Sequence, residues 1–144
     1  MSPSNRYETV SQQTEPEPRI ILRPVKGGGR ITLEAASLVA QYAVSDSDTL
    51  LVLDEDCPYE EQLHLVLVRG SKAIDHVVIG GMYSTGIFKS LGMDESKLRF
   101  TFESDAVWSL TVDTKGRRAW GGLPRGASRK GLPFGRKHLF LDQG

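Results

Sequence analysis

Three histidines, one cysteine and several carboxylates are the side chains of this 144-residue chain that could carry out acid–base or nucleophilic chemistry. Asp75 directly precedes His76, and His64 lies on the other strand of a predicted hairpin. In the register that pairs Val68 with Ala73, His64 and His76 point to opposite faces of the sheet. They are therefore not expected to share a metal ion or to act together. Asp75 and His76 are neighbours on one strand, so they also face apart and form no dyad.

The other reactive groups match no known catalytic pattern. Cys57 lies in an acidic stretch, where negative charge opposes formation of the thiolate. Gly81 and Gly86 have the spacing of a phosphate-binding loop, but Lys89 comes too late to reach a phosphate. No metal-ligand spacing, nucleophile elbow or dinucleotide fingerprint occurs. We therefore predict no catalytic residues, no metal and no cofactor, and an enzyme with an unrecognised site is kept only as the second alternative.

The densest acidic cluster is a candidate surface for a basic protein partner. It contains Pro58 and no glycine, so it lacks the pattern of an EF-hand calcium loop. We interpret it as a solvated loop that offers negative charge. The residues of this alternative protein-binding face are Asp54, Glu55, Asp56, Glu60 and Glu61.

The C-terminal segment is the basic end of the chain. Residues 114–144 hold eight basic and one acidic side chain, whereas residues 31–113 hold five basic and fourteen acidic ones. Basic residues spaced by glycine can follow a phosphate backbone without reading its sequence. Docking of this segment on the chain's own acidic body is the other interpretation. The predicted nucleic-acid contacts are Lys115, Arg117, Arg118, Arg125, Arg129, Lys130, Arg136 and Lys137.

Consecutive β-hairpins between residues 63 and 120 are predicted to position these groups. Apolar residues alternate there with a period of two, and a first hairpin turns at Gly70. Both faces of this hairpin are largely apolar, which predicts a central position covered on both sides. A second hairpin is predicted with a three-residue loop at 104–106, and a turn at 114–116 leads into a further strand that contains Trp120.

Two helical elements complete the predicted fold. Four alanines give residues 32–44 a high helix propensity, and an apolar triplet predicts a short helical turn at 87–91. The fold class is therefore predicted as α+β, with a mostly antiparallel, curled or barrel-like sheet of about six strands built from consecutive hairpins.

The predicted domain organisation follows from composition. Residues 1–30 are predicted to be a disordered tail because serine, glutamine, glutamate and proline dominate. A single α+β domain follows at 31–122, a basic loop or arm at 123–137, and a closing strand at 138–142.

Composition and charge predict a soluble cytoplasmic protein. A single cysteine forms no intramolecular disulfide, and no apolar run approaches the ~20 residues that span a bilayer, so no membrane contact is expected. We predict a small non-catalytic binding or regulatory protein whose basic arm contacts nucleic acid. The alternative is an adaptor, inhibitor or chaperone-like domain that binds a basic protein. Self-association through the acidic body and the basic arm stays open.

Overall fold

The computed structural model of the protein describes residues 1–55, 62–80, 86–118, 122–130 and 135–143. These residues form thirteen strands and no helix, so the predicted α+β class is wrong and the described chain is all-β. In chain order the strands are β1 (Ser2–Pro3), β2 (Tyr7–Gln13), β3 (Arg19–Pro24), β4 (Ile31–Leu33), β5 (Ser37–Ala43), β6 (Asp48–Asp54), β7 (Gln62–Arg69), β8 (Lys72–Gly80), β9 (Lys89–Met93), β10 (Lys97–Thr101), β11 (Trp108–Arg117), β12 (Ala127–Arg129) and β13 (Lys137–Gln143).

The strands form three antiparallel sheets instead of the single curled or barrel-like sheet that the sequence predicts. The largest sheet has six strands in the order β1-β5-β6-β7-β8-β12. A four-stranded sheet has the order β13-β11-β10-β9, and a three-stranded sheet has the order β2-β3-β4. The six-stranded sheet is the middle layer, because each of its faces packs against one of the other two sheets.

Two separate cores explain why the central strands are apolar on both faces. Leu63, Leu65 and Leu67 of β7 pack toward the four-stranded sheet, while Val66 and Val68 pack toward the three-stranded sheet. All five side chains are completely buried, and burying each is worth ~1.5–3 kcal/mol. The expectation that the first hairpin is central and covered on both sides is therefore confirmed.

Residues 32–44 form strands instead of the predicted main helix. Ile31–Leu33 is β4, and Ser37–Ala43 is β5, which pairs with β6. Ala35 and Ala36 are buried where the chain crosses from the three-stranded to the six-stranded sheet, and their small side chains fit this close crossing. Helix propensity is a weak preference, and pairing within a sheet overrides it here.

Residues 87–91 do not form the predicted helical turn. The amide of Ile87 donates to the carbonyl of Phe102 (3.1 Å), and the side chain of Ile87 is 83% exposed. The strand β9 begins at Lys89 and pairs with β10 through a bulge. Leu91 is also largely exposed, so the apolar residues that predict a turn do not make a buried helical face.

The first hairpin forms with the predicted turn. Val68 pairs with Ala73, and Gly70 occupies the first turn position with a φ of +63°. This left-handed conformation is one that glycine adopts without steric cost, which is why the turn occurs at this residue.

A β-bulge directly after this turn changes the rest of the register. Leu67 pairs with Asp75, which leaves Ile74 as an extra residue in β8. One extra residue moves every later side chain of the strand to the opposite face. Asp75 therefore lies on the face of Leu67, and His76 pairs with Val66 on the other face.

The second hairpin has the predicted common face but a different register. Phe100 pairs with Trp108 and Leu98 with Leu110, and all four side chains are buried in the same core. The pairing is displaced by two residues, and the loop is longer than the three residues predicted at 104–106 because the pairing ends at Phe100 and Trp108. A displacement by two keeps every side chain on its face.

The predicted turn at residues 114–116 is wrong, since these residues lie inside β11. Strand β11 continues to Arg117 and pairs with β13. Trp120, which the sequence places on a return strand, lies outside the described residues.

The two ends of the chain supply both edge strands of the six-stranded sheet, and each end also contributes to one of the other sheets. Residues 1–30, for which composition predicts disorder, contain β1, β2 and β3. Ile20 and Leu22 of β3 are completely buried against the middle layer, and this burial orders a segment that is polar on average. Near the other end, residues 127–129 of the predicted basic loop form β12 at the edge of the six-stranded sheet, and the strand predicted at 138–142 corresponds to β13.

Candidate functional site

The eight cations of the predicted nucleic-acid site fall into three groups by their surroundings. Arg129 and Lys130 contact carboxylates of the protein itself. Arg125 lies in the exposed turn before β12. The other five residues lie around the junction of β11 and β13, and we call these five the basic cluster: Lys115, Arg117, Arg118, Arg136 and Lys137.

Arg129 is held inside the protein by Asp75. The two side chains form an ion pair at 16% and 6% exposure. Nη2 of Arg129 also donates to the carbonyl of Leu139 (2.8 Å), and Oδ2 of Asp75 accepts from the amides of His138 (2.8 Å) and Leu139 (2.9 Å). Burial opposes ionisation of Asp75, but these hydrogen bonds outweigh it and hold its pKa below the ordinary value. Arg129 thus joins β8, β12 and β13.

Lys130 is held less firmly. Its backbone amide donates to the carbonyl of His76 (3.0 Å), and its Nζ donates to Glu34 (3.2 Å). The two side chains of this ion pair are 40% and 79% exposed, so the pair contributes little to stability.

The basic cluster surrounds a bulge in β11. Val112 pairs with Leu139, and the next pair along the strands is Arg117 with Lys137. Four residues of β11 therefore lie opposite a single residue of β13. A bulge of this kind bends the strand and changes the direction of its side chains, so it brings cations from two strands to one edge of the sheet.

Hydrogen bonds hold the bulge in one conformation. Oδ1 of Asp113 accepts from the amides of Lys115 and Gly116, each at 3.1 Å. The carbonyl of Asp113 accepts from Nδ1 of His138 (2.8 Å), and the carbonyl of Gly116 accepts from Nη1 of Arg136 (3.1 Å). Gly116 has a φ of +75° and is buried under His138, so a larger residue would not fit.

A further contact connects the bulge to the middle layer. Nη2 of Arg69 donates to the carbonyl of Thr114 (2.9 Å). The same guanidinium makes two bonds to Asp48 (2.7 and 2.9 Å), whose side chain is 1% exposed. The backbone of the bulge is therefore fixed on the body of the protein while its cationic side chains face outward.

Arg117 stacks on an aromatic ring at this edge. Its guanidinium carbon lies 4.0 Å from the ring centroid of Phe140 in β13. Stacking holds an arginine side chain in place while its N–H groups stay in solvent. Lys115, Arg118 and Arg136 are also exposed, so four of the five cations in the cluster are open to a ligand.

The positive surface continues across the outer face of the four-stranded sheet. Thr111 pairs with Phe140 on one side and with Lys97 on the other. In the next row Ser109 pairs with Arg99 on one side and with the exposed Asp142 on the other. Lys97 and Arg99 are exposed, so small polar residues separate the basic cluster from two further cations on one sheet face.

The acidic face proposed as an alternative is described only in part. Asp54 accepts a hydrogen bond from Oγ of Ser37, and Oε1 of Glu55 lies 3.4 Å from Nε2 of His64. Both acids thus contact side chains of the protein itself. Outside the described residues lie Asp56, Cys57, Glu60, Glu61 and most of the glycine-rich segment at 80–86.

A pair of histidines in direct contact is the feature that sequence reasoning missed. Nδ1 of His64 lies 2.7 Å from Nε2 of His76, so the two rings share one hydrogen bond. The prediction that they point to opposite faces is wrong, because the bulge at Ile74 places both rings on the side of the three-stranded sheet. No glycine or proline lies at residues 72–79 of this strand to mark the bulge, so the sequence carries no signal for it.

Burial keeps both rings neutral. It lowers the pKa of His64 to about 3, with further lowering from His76 and Lys130, and it lowers the pKa of His76 to about 4 with help from Lys130. Nε2 of His64 is buried and makes no hydrogen bond within the described chain, since the carboxylate of Glu55 nearby lacks the geometry for one. His64 is completely buried, so a substrate has no access to this ring.

The described ranges were compared with the residue patterns of a metal site and of a membrane-spanning helix. Within them no group of three or more histidine, cysteine, aspartate or glutamate side chains is arranged to hold a metal ion. The described residues also contain no helix long and apolar enough to cross a membrane.

Comparison with known proteins does not assign the chain: no family model, no curated protein and no solved structure matches it.

Proposed function

We propose that this protein is a small non-catalytic binding protein that contacts the phosphate backbone of nucleic acid through the basic cluster. The observation that carries this proposal is the bulge in β11, around which five cations from β11, β13 and the residues next to them lie at one edge of the four-stranded sheet. Four of these cations are exposed, and the backbone beneath them is fixed by hydrogen bonds.

The chemistry of this edge suits a polyanion. Lysine and arginine neutralise phosphates and release condensed counterions, which supplies affinity without sequence specificity. The guanidinium of Arg117, stacked on Phe140, adds a flat surface on which an unpaired base can stack. The sheet face beyond it, with Lys97 and Arg99, offers a path for a strand of several nucleotides.

Arg129 and Lys130 have no part in this proposal. Arg129 is an internal partner of Asp75, and Lys130 is paired with Glu34. We place the protein in the cytoplasm because its single cysteine forms no intramolecular disulfide and suits a reducing compartment.

Fluorescence anisotropy with labelled single-stranded RNA and duplex DNA tests the proposal. The wild-type protein is compared with a variant that carries Lys115→Gln, Arg117→Gln and Arg118→Gln. We expect this variant to bind at least about tenfold more weakly at low salt, because three phosphate contacts are lost. Truncation after residue 122 is unsuitable, since it removes β12 and β13 and the buried Leu139 and Leu141.

The matched control changes the same amount of charge elsewhere. It carries Arg19→Gln, Arg30→Gln and Lys72→Gln, which are exposed residues outside the four-stranded sheet. We expect it to bind within about twofold of wild type. Equal weakening of the two variants, or no binding by the wild-type protein at low salt, would refute the proposal.

A further inference from the structure

A cavity lies at the end of the middle layer where β7 turns into β8. Its volume is about 690 Å³, which is the size of a small-molecule site. Its walls come from residues 5–7, residues 24–26, the turn between β5 and β6, and Gly70 in the turn between β7 and β8. The cavity therefore opens at one end of the interface between the three-stranded and six-stranded sheets, and it shares no residue with the basic cluster.

Arg6 is a fixed cation in the wall of this cavity. Its Nη1 donates to the carbonyls of Ser45 (2.6 Å) and Asp48 (3.0 Å) and to Oγ1 of Thr49 (3.3 Å). These three acceptors are uncharged, and no carboxylate of the described residues forms an ion pair with Arg6. The guanidinium is thus held in position by uncharged acceptors, and a cation fixed in this way can bind an anion.

The rest of the wall combines apolar surface with two further charges. The hydroxyl of Tyr7 donates to the carbonyl of Gly70 (2.6 Å), which holds the aromatic ring in place. Pro24 and Val25 add apolar surface, and Val25 is 55% exposed. Lys26 and Asp46 also line the cavity, so the wall carries two cations and one anion in total when Arg6 is included.

We propose that this cavity binds a small organic carboxylate with an apolar body. The carboxylate is neutralised by Arg6, through N–H groups other than those donated by Nη1, and by Lys26. The apolar body packs against Tyr7, Pro24 and Val25. Binding sites for small molecules have this composition, in which a mostly apolar cavity places a few charged groups to fix the orientation of the ligand. This site does not depend on nucleic-acid binding.

Phenylacetate is the probe for this proposal, with two matched compounds that each lack one of its features. 2-Phenylethanol keeps the aromatic body without the charge, and acetate keeps the charge without the body. Each is titrated into the full-length protein by calorimetry, and the melting temperature is measured alongside. We expect saturable binding of phenylacetate with a rise in melting temperature, and binding at least about tenfold weaker for the other two, since each lacks either the charge-assisted hydrogen bonds or the apolar burial that contributes to affinity.

Three variants locate the site. Arg6→Gln is expected to weaken phenylacetate binding by about tenfold or more, and Lys26→Gln by a smaller factor of about three to five. Lys26→Gln lies at an exposed turn position and keeps the test valid if Arg6→Gln fails to fold. Arg23→Gln is the control, because Arg23 is an exposed cation that pairs with Glu8 outside the cavity. The proposal is overturned if phenylacetate and 2-phenylethanol bind equally, if no probe binds at millimolar concentration, or if Arg23→Gln weakens binding as much as Lys26→Gln.

Discussion

Arg129 and the basic cluster come from the same basic end of the chain, yet their surroundings differ in every respect that decides a role. Arg129 is mostly buried, faces a buried carboxylate and donates to a neighbouring strand. The exposed cations of the cluster lie around a bulge, where hydrogen bonds fix the backbone and leave the charges in solvent. A run of cations in a sequence can therefore contain both buried cations that stabilise the fold and exposed cations that can bind a ligand. The position of each residue in the sheet determines to which group it belongs.

Because Asp75, the partner of Arg129, is buried, the loss of Arg129 and the loss of an exposed cation should have different costs in free energy of unfolding. Asp75 keeps its negative charge only because Arg129 and two backbone amides compensate for burial. Removing a partner from such a pair leaves an uncompensated charge, whereas removing an exposed cation costs almost nothing. Substitution of Arg129 should therefore lower stability without changing RNA binding. Substitution of the exposed cations of the basic cluster should weaken RNA binding without lowering stability.

The largest effect is expected for Arg129→Met. It leaves Asp75 buried without its cation, so the free energy of unfolding should fall by about 3–5 kcal/mol. Urea denaturation measures this loss, and RNA binding by the molecules that remain folded should be unchanged. Arg125→Met, in the exposed turn of the same segment, is the control and should cost less than about 0.5 kcal/mol. A loss of similar size in both variants would remove the distinction between structural and available cations.

The next effect concerns the bulge that presents the cluster. In Gly116→Ala the new Cβ would lie 2.7 Å from the ring of His138, and the residue would keep a φ of +75°. Steric strain and the left-handed backbone together should cost about 2–4 kcal/mol, and RNA binding should weaken as the bulge rearranges.

Gly126→Ala is the matched control for this change. Gly126 also has a positive φ, of +90°, but nothing lies within 4 Å of the Cβ position. This substitution should lower the free energy of unfolding by about 1 kcal/mol, which is the cost of placing alanine in the left-handed backbone conformation, and RNA binding should not change. Equal costs for the two substitutions would mean that His138 does not constrain the bulge.

A third effect, acid titration, tests the opposite face of β8. His64 and His76 are neutral in the folded protein, with pKa values of about 3 and about 4, but they take up protons near pH 6.5 when the chain unfolds. Stability should therefore fall as the pH is lowered from about 6.5 to about 4.5, by about 2 kcal/mol for each histidine. Over this range the Asp75–Arg129 pair should contribute almost no loss, because its stabilisation is lost only near and below about pH 3.8, where Asp75 of the unfolded chain takes up a proton.

Urea denaturation at a series of pH values measures this dependence. The double variant His64→Leu and His76→Leu should have a flatter profile than wild type above about pH 4.5. If the profile of the double variant is as steep as that of wild type, the acid sensitivity arises elsewhere.

The smallest effect distinguishes charge from stacking within the cluster. Arg117→Lys keeps the positive charge but loses the flat guanidinium that lies on Phe140. Affinity for single-stranded RNA should fall by about threefold with little change in its salt dependence. Arg118→Lys, which has no aromatic partner in the described structure, should change the affinity less; a larger fall for this variant would contradict a role for the stack.

The sequence correctly predicts the central hairpin of the six-stranded sheet. Local features explain the elements that it predicts wrongly. Alternation in β7 and an apolar pattern on both faces predict a central hairpin, because that pattern is a direct consequence of burial. The bulge at Ile74 has no such signature, and a single extra residue brings His64 and His76 together. Ala35 and Ala36 have side chains small enough for the buried crossing between two sheets, and alanine also favours a helix. Helix propensity alone therefore assigns these residues wrongly.

The residues of the candidate site can be identified from the sequence, but their contacts cannot. The sequence identifies all eight cations but not the partner of Arg129, since Asp75 is 54 residues away along the chain and faces Arg129 only because of the bulge. The bulge in β11 that assembles the cluster is equally hidden, because residues 114–116 resemble an ordinary hairpin turn. Local patterns predict which strands exist, whereas register and layer order depend on contacts between distant residues.

The salt dependence of RNA binding shows whether the basic cluster contacts phosphates, because the slope of log affinity against log salt is proportional to the number of phosphate contacts. The affinity of the wild-type protein for single-stranded RNA is measured at several salt concentrations, beside the variant with Lys115→Gln, Arg117→Gln and Arg118→Gln. If four exposed cations of the cluster contact phosphates, the slope of log affinity against log salt should be about −3 for wild type and should rise to about −1 for the variant. A variant whose slope equals that of the wild-type protein would show that the phosphate contacts lie elsewhere, and the basic cluster would lose its role.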